Sequence, residues 1–390
     1  MTHPSARIPV SILTGFLGAG KSTLLNRLLR DPGLRDAAVI INEFGEVGID
    51  HLLVEASNDA VVELSDGCLC CTVRGELIDT LAMLMDRLQT GKIARLSRIV
   101  IETTGLADPA PVMQSVIGNP VLADCFELDG VITVVDAVNG LSTLDQFEEA
   151  VKQVAVADRL IISKSTMTDA ASLVRLTARL FELNPRAVVM DGDTDAAGRA
   201  GILDNGLYDA SSKVADVARW LNDEAAADDH GHTQHHHDHQ HGHHHDHDDG
   251  HGHDHHGHHH DVTRHGDSIR SYSIIHDGLI NPMALEMFVD LLRSAHGERL
   301  LRMKAVVGLS DNPDRPIVLH GVQAVFHPPV RLPAWPDPTD RRTRMVLITK
   351  DLPEAYVRDL FDAFVGKIRI DRPDREALTN NPLAIPGMRL

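Results

Sequence analysis

The chain has 390 residues, of which 43% are hydrophobic and 24% are charged, a composition typical of folded domains and not of a wholly disordered chain. Its formal net charge is -19, with 37 basic against 56 acidic residues, so no overall positive field attracts the phosphates of nucleic acid. No apolar run approaches the roughly 20 residues that cross a bilayer, and the N-terminus lacks a signal-peptide pattern. We therefore predict a cytoplasmic protein that binds neither nucleic acid nor membrane.

Short apolar runs alternate with amphipathic segments through the first predicted domain, residues 1–222. The apolar runs are typical of buried parallel strands and lie at Ile8–Thr14, Ala38–Ile41, Arg98–Ile101, Val131–Val135 and Leu160–Ser163. Helices are predicted between them at Thr23–Arg30, Gly75–Leu88 and Ala170–Leu183. This order predicts an α/β domain with a doubly wound parallel sheet, which binds its ligands at the carboxyl ends of the strands.

The composition changes in residues 223–267, where 18 of the 31 residues from His230 to His260 are histidine. With almost nothing apolar to bury, this segment cannot offset the entropy of ordering and is predicted to be a flexible linker. Neutral imidazole is a common metal ligand, so the linker is a candidate accessory metal site. Its histidine triplets are the candidate ligands: His235, His236, His237, His243, His244, His245, His258, His259 and His260.

A second, smaller α+β domain is predicted at residues 268–375, followed by a tail at 376–390. Its predicted strands are Ile269–Ile275, Leu300–Val307, Pro316–His320, Val322–His327 and Met345–Ile348, with helices at Pro282–Ser294 and from Pro353 onwards. His320 and His327 alternate with apolar residues, which favours ordinary strand histidines over accessory metal ligands.

A phosphate-binding pattern occupies the turn between the first predicted strand and the first predicted helix. The segment GFLGAGKS fits G-x-x-x-x-G-K-[ST], in which backbone N–H groups and a lysine hold phosphates and the hydroxyl binds Mg²⁺. It predicts a nucleotide site at Gly15, Phe16, Leu17, Gly18, Ala19, Gly20, Lys21, Ser22 and Thr23.

Two later strand ends complete the predicted nucleotide site. Glu102 can hold the magnesium ion with Ser22, and the N–H of Gly105 can sense the γ-phosphate. Ser163 and Lys164 lie where guanine-binding proteins carry Asn-Lys-x-Asp, but Thr166 replaces the aspartate that accepts both guanine N–H groups. Asp169 is either a substitute for that aspartate or the N-cap of the next helix.

Three thiols within four residues, Cys68, Cys70 and Cys71, are close enough to bind one zinc ion. They leave one tetrahedral position, which Glu43, Glu46 or a ligand from a partner could fill. An open position suits a site that passes metal on, although buried structural or redox cysteines remain an alternative. The fourth cysteine, Cys125, fits a small buried hydrophobe.

The segments GFLGAGKST, INEFGEVGID, DGCLCCTVRGEL and ETTGLADP resemble, in this order, the CobW-type family of metal-handling P-loop GTPases. The second domain, with HGVQAVFHPP, is similar to the domain that usually accompanies it. The resemblance implies a Mg²⁺-dependent GTPase that carries Zn²⁺ at its thiol motif and hands it to a client metalloprotein. In that setting Glu43 and Glu46 are metal-site or switch residues, or else solvated loop carboxylates.

Two other functions stay open at this point. The chain could be a storage or buffering protein for zinc, nickel or cobalt whose main metal site is the histidine run, or a GTPase that delivers cobalt for cobalamin synthesis or a nitrile hydratase. The soft thiolates favour zinc as the cargo over cobalt. The sequence identifies no client and leaves homo-oligomerisation open.

Overall fold

The computed structural model describes residues 7–42, 61–63, 72–204 and 269–366. The N-terminal domain contains the strands β1 Ile8–Gly15, β2 Ala37–Asn42, β3 Val61–Glu63, β4 Arg98–Thr103, β5 Phe126–Asp136, β6 Arg159–Ser163 and β7 Val188–Asp191. Its α-helices are α1 Lys21–Leu29, α2 Thr72–Gln89, α3 Ala110–Gly118, α4 Pro120–Ala123, α5 Gly140–Gln146, α6 Glu148–Ala155 and α7 Ala170–Leu183.

These strands form one sheet in the order β3-β2-β4-β1-β5-β6-β7. Every neighbouring pair is parallel, so the carboxyl ends of all these strands lie along one edge. Residues alternate between the two faces: Val10 and Ile12 pack with α2 and α3, whereas Leu13 packs with α1. The predicted doubly wound parallel sheet is confirmed.

Some elements of this domain escaped the sequence prediction. Strand β7 has mostly exposed residues at the sheet edge, so it lacks the apolar run by which the other strands were predicted. Strand β5 begins at Phe126, before the predicted start at Val131, because polar Glu127 and Asp129 interrupt its apolar pattern. The short helices α3 to α6 were also not predicted, since few turns give little periodic signal.

The C-terminal domain is α+β, as predicted. Its strands are β8 Ile269–His276, β9 Leu300–Val307, β10 Ile317–Val322, β11 Val325–Phe326, β12 Val330–Arg331 and β13 Thr343–Lys350, with helices α8 Pro282–His296 and α9 Glu354–Phe364. They form an antiparallel sheet in the order β11-β10-β9-β13-β8, with β12 paired to β10. Both helices pack on one face of it.

The predicted strand Val322–His327 is wrong at its start. Val322 ends β10, and the chain turns at Gln323, whose φ of 53° lies in the left-handed region, before the short strand β11. A strand also forms at Val330–Arg331, within the proline-rich stretch that gave no strand signal.

Several predictions fall outside the described residues. These are the boundaries at 222/223, 267/268 and 375/376, the histidine-rich linker and the tail. Within the described ranges, no helix combines the length and the hydropathy that crossing a membrane requires.

The two domains share a core and a buried ion pair. Ile269, Leu301 and Ile348 of the second sheet pack into the cluster formed by α5, α6 and α7. Beside them the carboxylate of Asp158, with 5% of its side chain exposed, pairs with Arg302 and with Lys304, whose Nζ lies 2.8 Å away. Burial alone raises the pKa of Asp158, but these two cations outweigh it and hold the pKa below its ordinary value.

We expect Asp158→Asn to destabilise the protein, because it leaves Arg302 and Lys304 without their buried counter-charge. Breaking a buried pair costs about 3 kcal/mol of the free energy of unfolding. Urea denaturation of the full chain, followed by circular dichroism, measures this loss. The control Asp145→Asn changes an exposed acid and should cost less than about 0.5 kcal/mol. Similar losses in the two variants would contradict the structural role of the pair.

A second interdomain contact predicts a dependence on pH. Hydrogen bonds from Lys350 at 2.6 Å and from Lys152 at 2.9 Å hold the pKa of Glu148 at about 2, below the ordinary 4.5. A lowered pKa means that this stabilisation is complete above pH 4.5 and is lost as the pH falls towards 2. The difference in melting temperature between wild type and Glu148→Gln should therefore shrink as the pH is lowered from about 6 to about 3.

The neighbouring variant Glu149→Gln is the control for this pH series, because Glu149 lies on the same helix and attracts Lys152 only weakly, without a salt bridge to the described residues. Its melting temperature should follow that of the wild type at each pH. If the gap between wild type and Glu148→Gln stayed constant over the whole range, the Glu148 carboxylate would not be the group responsible.

Candidate nucleotide-binding site

The phosphate loop joins β1 to α1 and depends on its glycines. Gly15 has a φ of 144°, and a Cβ there would lie 2.4 Å from the carbonyl oxygen of Val134 in β5. Gly20 has a φ of 97° directly before the first residue of α1. The loop thus folds back closely enough for the N–H groups at the start of α1 to face a phosphate. Lys21, the first residue of α1, is buried and donates to the carbonyl of Phe16 at 3.4 Å.

The two predicted magnesium residues meet at this loop. Glu102 lies opposite Leu13 in the β1–β4 pairing, which brings its Oε1 within 3.1 Å of the Ser22 hydroxyl, and its side chain is buried. Nearby in sequence, the buried Thr104 hydroxyl has no hydrogen-bond partner within the described part of the chain. Mg²⁺ takes oxygen ligands and is usually held by one or two protein groups together with phosphates and water. Ser22 and Glu102 fit that requirement.

The loop after β4 lies against the phosphate loop. A Cβ added to Gly105 would come within 2.6 Å of the backbone nitrogen of Leu17, so only glycine permits this approach. From the other side, Gln153 of α6 donates its amide to the carbonyls of Gly105 at 3.1 Å and Ala107 at 3.0 Å. Gln153 is 1% exposed. Sequence reasoning missed it, because its helix was not predicted and a single glutamine belongs to no recognisable motif.

The predicted base-binding residues also contact the phosphate loop. Ser163 donates to the carbonyl of Ala19 at 2.6 Å, and Lys164 donates to the carbonyl of Gly18 at 2.9 Å and to Asp136 at 2.7 Å. Burial raises the pKa of Asp136, but the hydrogen bonds from Lys164 and other donors outweigh it and lower the pKa. Asp136 is therefore a fixed anion that orients Lys164, a role that the sequence analysis did not assign.

The alternative roles of Asp169 are resolved by its position. Its carboxylate accepts from the backbone N–H of Ser172 at 2.9 Å and from the Ser172 hydroxyl at 2.8 Å, which makes it the N-cap of α7. Thr166 instead contacts a different acid, Asp193, beyond the end of β7.

The family models divide the chain as the fold does. Residues 9–191 match the model for the CobW/HypB/UreG nucleotide-binding domain, and residues 269–365 match the cobalamin synthesis protein cobW C-terminal domain. The zinc chaperone YjiA of Escherichia coli (strain K12) is 32% identical over 359 residues, which cover 91% of this chain and 98% of that protein. The chain belongs to the CobW family.

Two further comparisons agree with this assignment. The zinc chaperone CobW of Sinorhizobium sp is 30% identical over 395 residues and covers 92% of this chain and 98% of its own length. The crystal structure of Zn(II)-bound YjiA GTPase from E. coli superposes with a TM-score of 0.59 at 25% identity, covering 92% of this chain and 99% of that one.

The candidate metal ligands of this CobW-family chain lie outside the described residues. They are Cys68, Cys70, Cys71, Glu43, Glu46 and the nine triplet histidines of the linker named above. The described ranges contain no cluster of three His, Cys, Asp or Glu side chains that could hold a metal. The zinc site therefore remains a prediction from sequence.

Three other residues named in the sequence analysis are described. The rings of His320 and His327 lie nearly perpendicular to each other with centroids 6.4 Å apart, but no third ligand joins them among the described side chains. His320 is a strand histidine of β10, as expected, whereas His327 directly follows the end of β11. Cys125 is partly buried and packs against the core of the N-terminal domain, as expected of a small hydrophobe.

We expect Gly105→Ala to weaken nucleotide binding, because the new methyl group would displace the phosphate loop at Leu17. Overpacking costs about 1 to 3 kcal/mol, which corresponds to roughly 5- to 150-fold in the Kd for Mg·GTP if the displaced loop bears the cost. Titration calorimetry measures the change. Gly201→Ala is the matched control, since a methyl group there meets nothing within 4 Å. Unchanged affinity in Gly105→Ala would show that this contact does not shape the nucleotide site.

Proposed function

We propose that this chain is a cytoplasmic, Mg²⁺-dependent GTPase that binds Zn²⁺ and transfers it to a client metalloprotein. The observation that carries the enzymatic part is the Ser22–Glu102 pair, 3.1 Å apart, at the start of the helix that follows the phosphate loop. The zinc-binding part of the proposal is supported by two relatives that match over nearly their whole length and are named zinc chaperones.

The described residues have distinct tasks in this proposal. Lys21 and the N–H groups at the start of α1 bind the phosphates, while Ser22 and Glu102 hold the magnesium ion. Bound Mg²⁺ neutralises charge on the β- and γ-phosphates. Gly105 lies next to Leu17 of the phosphate loop, so its N–H is placed to respond to the presence of the γ-phosphate.

The connectivity of the sheet supports coupling between nucleotide and metal. Strands β2 and β3 are parallel to β4, so they end at Asn42 and Glu63 on the same sheet edge as Glu102. The thiol motif follows β3 in the chain, and α2 begins directly after it at Thr72. If nucleotide changes the affinity for zinc, zinc must change the affinity for nucleotide by the same factor.

Zinc is the favoured cargo over cobalt. Three thiolates within four residues form a soft ligand set. Among the relatives, the proteins named CobW from Pseudomonas aeruginosa and Sinorhizobium sp are also described as zinc chaperones. A cytoplasmic location agrees with this chemistry, because reducing conditions keep the thiols able to bind metal.

The proposal is tested by measuring GTP and ATP hydrolysis with and without one equivalent of Zn²⁺. We expect zinc to change the rate for GTP in the wild type, and the triple variant Cys68→Ala, Cys70→Ala, Cys71→Ala to lose this response. Lys21→Ala should lower hydrolysis by at least about 100-fold, because it removes a group that stabilises the transferring phosphate.

Zinc binding by Lys21→Ala is the control, because this substitution leaves the thiols intact. A fluorescent zinc chelator reports whether GTP hydrolysis releases bound metal, as transfer to a client requires. Equal hydrolysis rates with and without zinc, together with zinc release that is indifferent to GTP, would contradict the proposal and favour a metal-buffering protein.

A further inference from the structure

The loop that follows β6 is positioned to meet the base of a bound nucleotide. The last residue of β6 and the first residue of the loop both bind the phosphate loop: Ser163 donates to the carbonyl of Ala19 and Lys164 to that of Gly18. Lys164 adopts a left-handed conformation, with a φ of 57°, which turns the chain sharply at this point. Residues 165–167 form the next short turn, so they adjoin the region that a nucleoside attached to the phosphates would occupy.

Thr166, the third residue of this loop after Ser163, cannot recognise guanine as an aspartate does. Guanine offers two parallel N–H donors, and a carboxylate accepts both, whereas one hydroxyl cannot. The structure places a carboxylate directly beside Thr166. Oδ2 of Asp193 accepts from the backbone N–H and the hydroxyl of Thr166, each at 3.1 Å, and from the Ser165 hydroxyl at 3.1 Å.

Asp193 is held in place from three directions. Strand β7 pairs with β6, and Gly192, which follows β7, donates its N–H to the carbonyl of Ile162 in β6 at 2.7 Å. Arg27 of α1 donates to the carbonyls of Gly192 and Thr194 on either side. The carboxylate itself bridges to the β6 loop, where Lys164 N–H donates to Oδ1 at 3.2 Å. The carboxylate is thus fixed by the scaffold and not carried on a free loop.

The carboxylate keeps room for a ligand. Asp193 is exposed, and Oδ1 accepts from Lys164 N–H alone among the described donors. At Oδ2 two of the three donors are hydroxyls that can rotate, and Ser165 has a second acceptor in Asp191 at 2.7 Å. Burial raises the pKa of Asp193, but the hydrogen bonds from Thr166, Ser165 and Lys164 together outweigh it and keep the pKa below its ordinary value. The group is therefore an anionic acceptor at neutral pH.

We infer that Asp193, and not residue 166, supplies the carboxylate that selects guanine in this chain. This inference rests on the proposed GTPase function and names the residue that sets its base specificity. The two oxygens of Asp193 accept the N1–H and N2–H of guanine, while the Ser165 hydroxyl turns to its second acceptor, Asp191. Adenine presents an acceptor at N1 and no donor at C2, so the carboxylate repels it.

The test replaces Asp193 by Asn and compares three nucleotides. Xanthine carries an oxygen at C2 where guanine has its amino group, so an amide that accepts from N1–H and donates to that oxygen complements xanthine. Competition against a fluorescent nucleotide, with Mg²⁺ present, gives the Kd for GTP, XTP and ATP. We expect Asp193→Asn to bind GTP about 10- to 100-fold more weakly, because it loses the bidentate contact with guanine. It should bind XTP more tightly by a similar factor, because it gains a bidentate contact with xanthine.

Asp169→Asn is the matched control, because asparagine caps a helix as well as aspartate and Asp169 is the N-cap of α7. Its preference for GTP over XTP should equal that of the wild type. An equal loss of affinity for all three nucleotides in Asp193→Asn would mean a structural role only, and unchanged affinities would mean no contact with the base. Either result overturns the inference.

The wild-type measurement separates this inference from the proposed function. If the wild type fails to bind Mg·GTP, the proposed function itself is wrong and the inference falls with it. If the wild type binds and hydrolyses GTP, but Asp193→Asn shows no shift towards XTP, only the assignment of Asp193 fails.

Discussion

One buried amide, the side chain of Gln153, holds the loop between β4 and α3 in place. Gln153 is 1% exposed and donates hydrogen bonds to the backbone carbonyls of Gly105 and Ala107 in this loop. An unsatisfied buried carbonyl is costly, so the loop cannot leave Gln153 without gaining other partners. The position of this loop against the phosphate loop is therefore tied to the position of α6.

Helix α6 and its surroundings carry that dependence to the C-terminal domain. Glu148, at the start of α6, pairs with Lys350, and Asp108 of the loop accepts from Gln323 at 3.5 Å. Gln114 donates to the same Gln323 at 2.9 Å. A shift of the loop with nucleotide state would thus change contacts at the domain interface. The C-terminal domain is in direct contact with the element that the γ-phosphate is expected to move.

The sequence predicted those parts of the structure that are determined by residues close to each other in the chain. The phosphate loop needs glycines at fixed positions, buried parallel strands need apolar runs, and Asp169 precedes α7 as an N-cap should. Gln153 and Asp193 could not be found this way. Helix α6 was not predicted, and a polar residue in so short an element carries no sequence signal that it faces a buried loop and not solvent. Asp193 meets Thr166 only because β6 and β7 pair, a contact between residues 27 apart in sequence.

The buried Asp158 has a consequence for synthesis of the chain. Its partner Arg302 follows 144 residues later, so a ribosome completes the whole N-terminal domain before the counter-charge exists. Until then the carboxylate must stay hydrated, and the apolar residues of α6 and α7 that later cover Leu301 and Ile348 stay exposed. The N-terminal domain can therefore reach its final packing against β9 and β13 only after the ribosome has synthesised those strands.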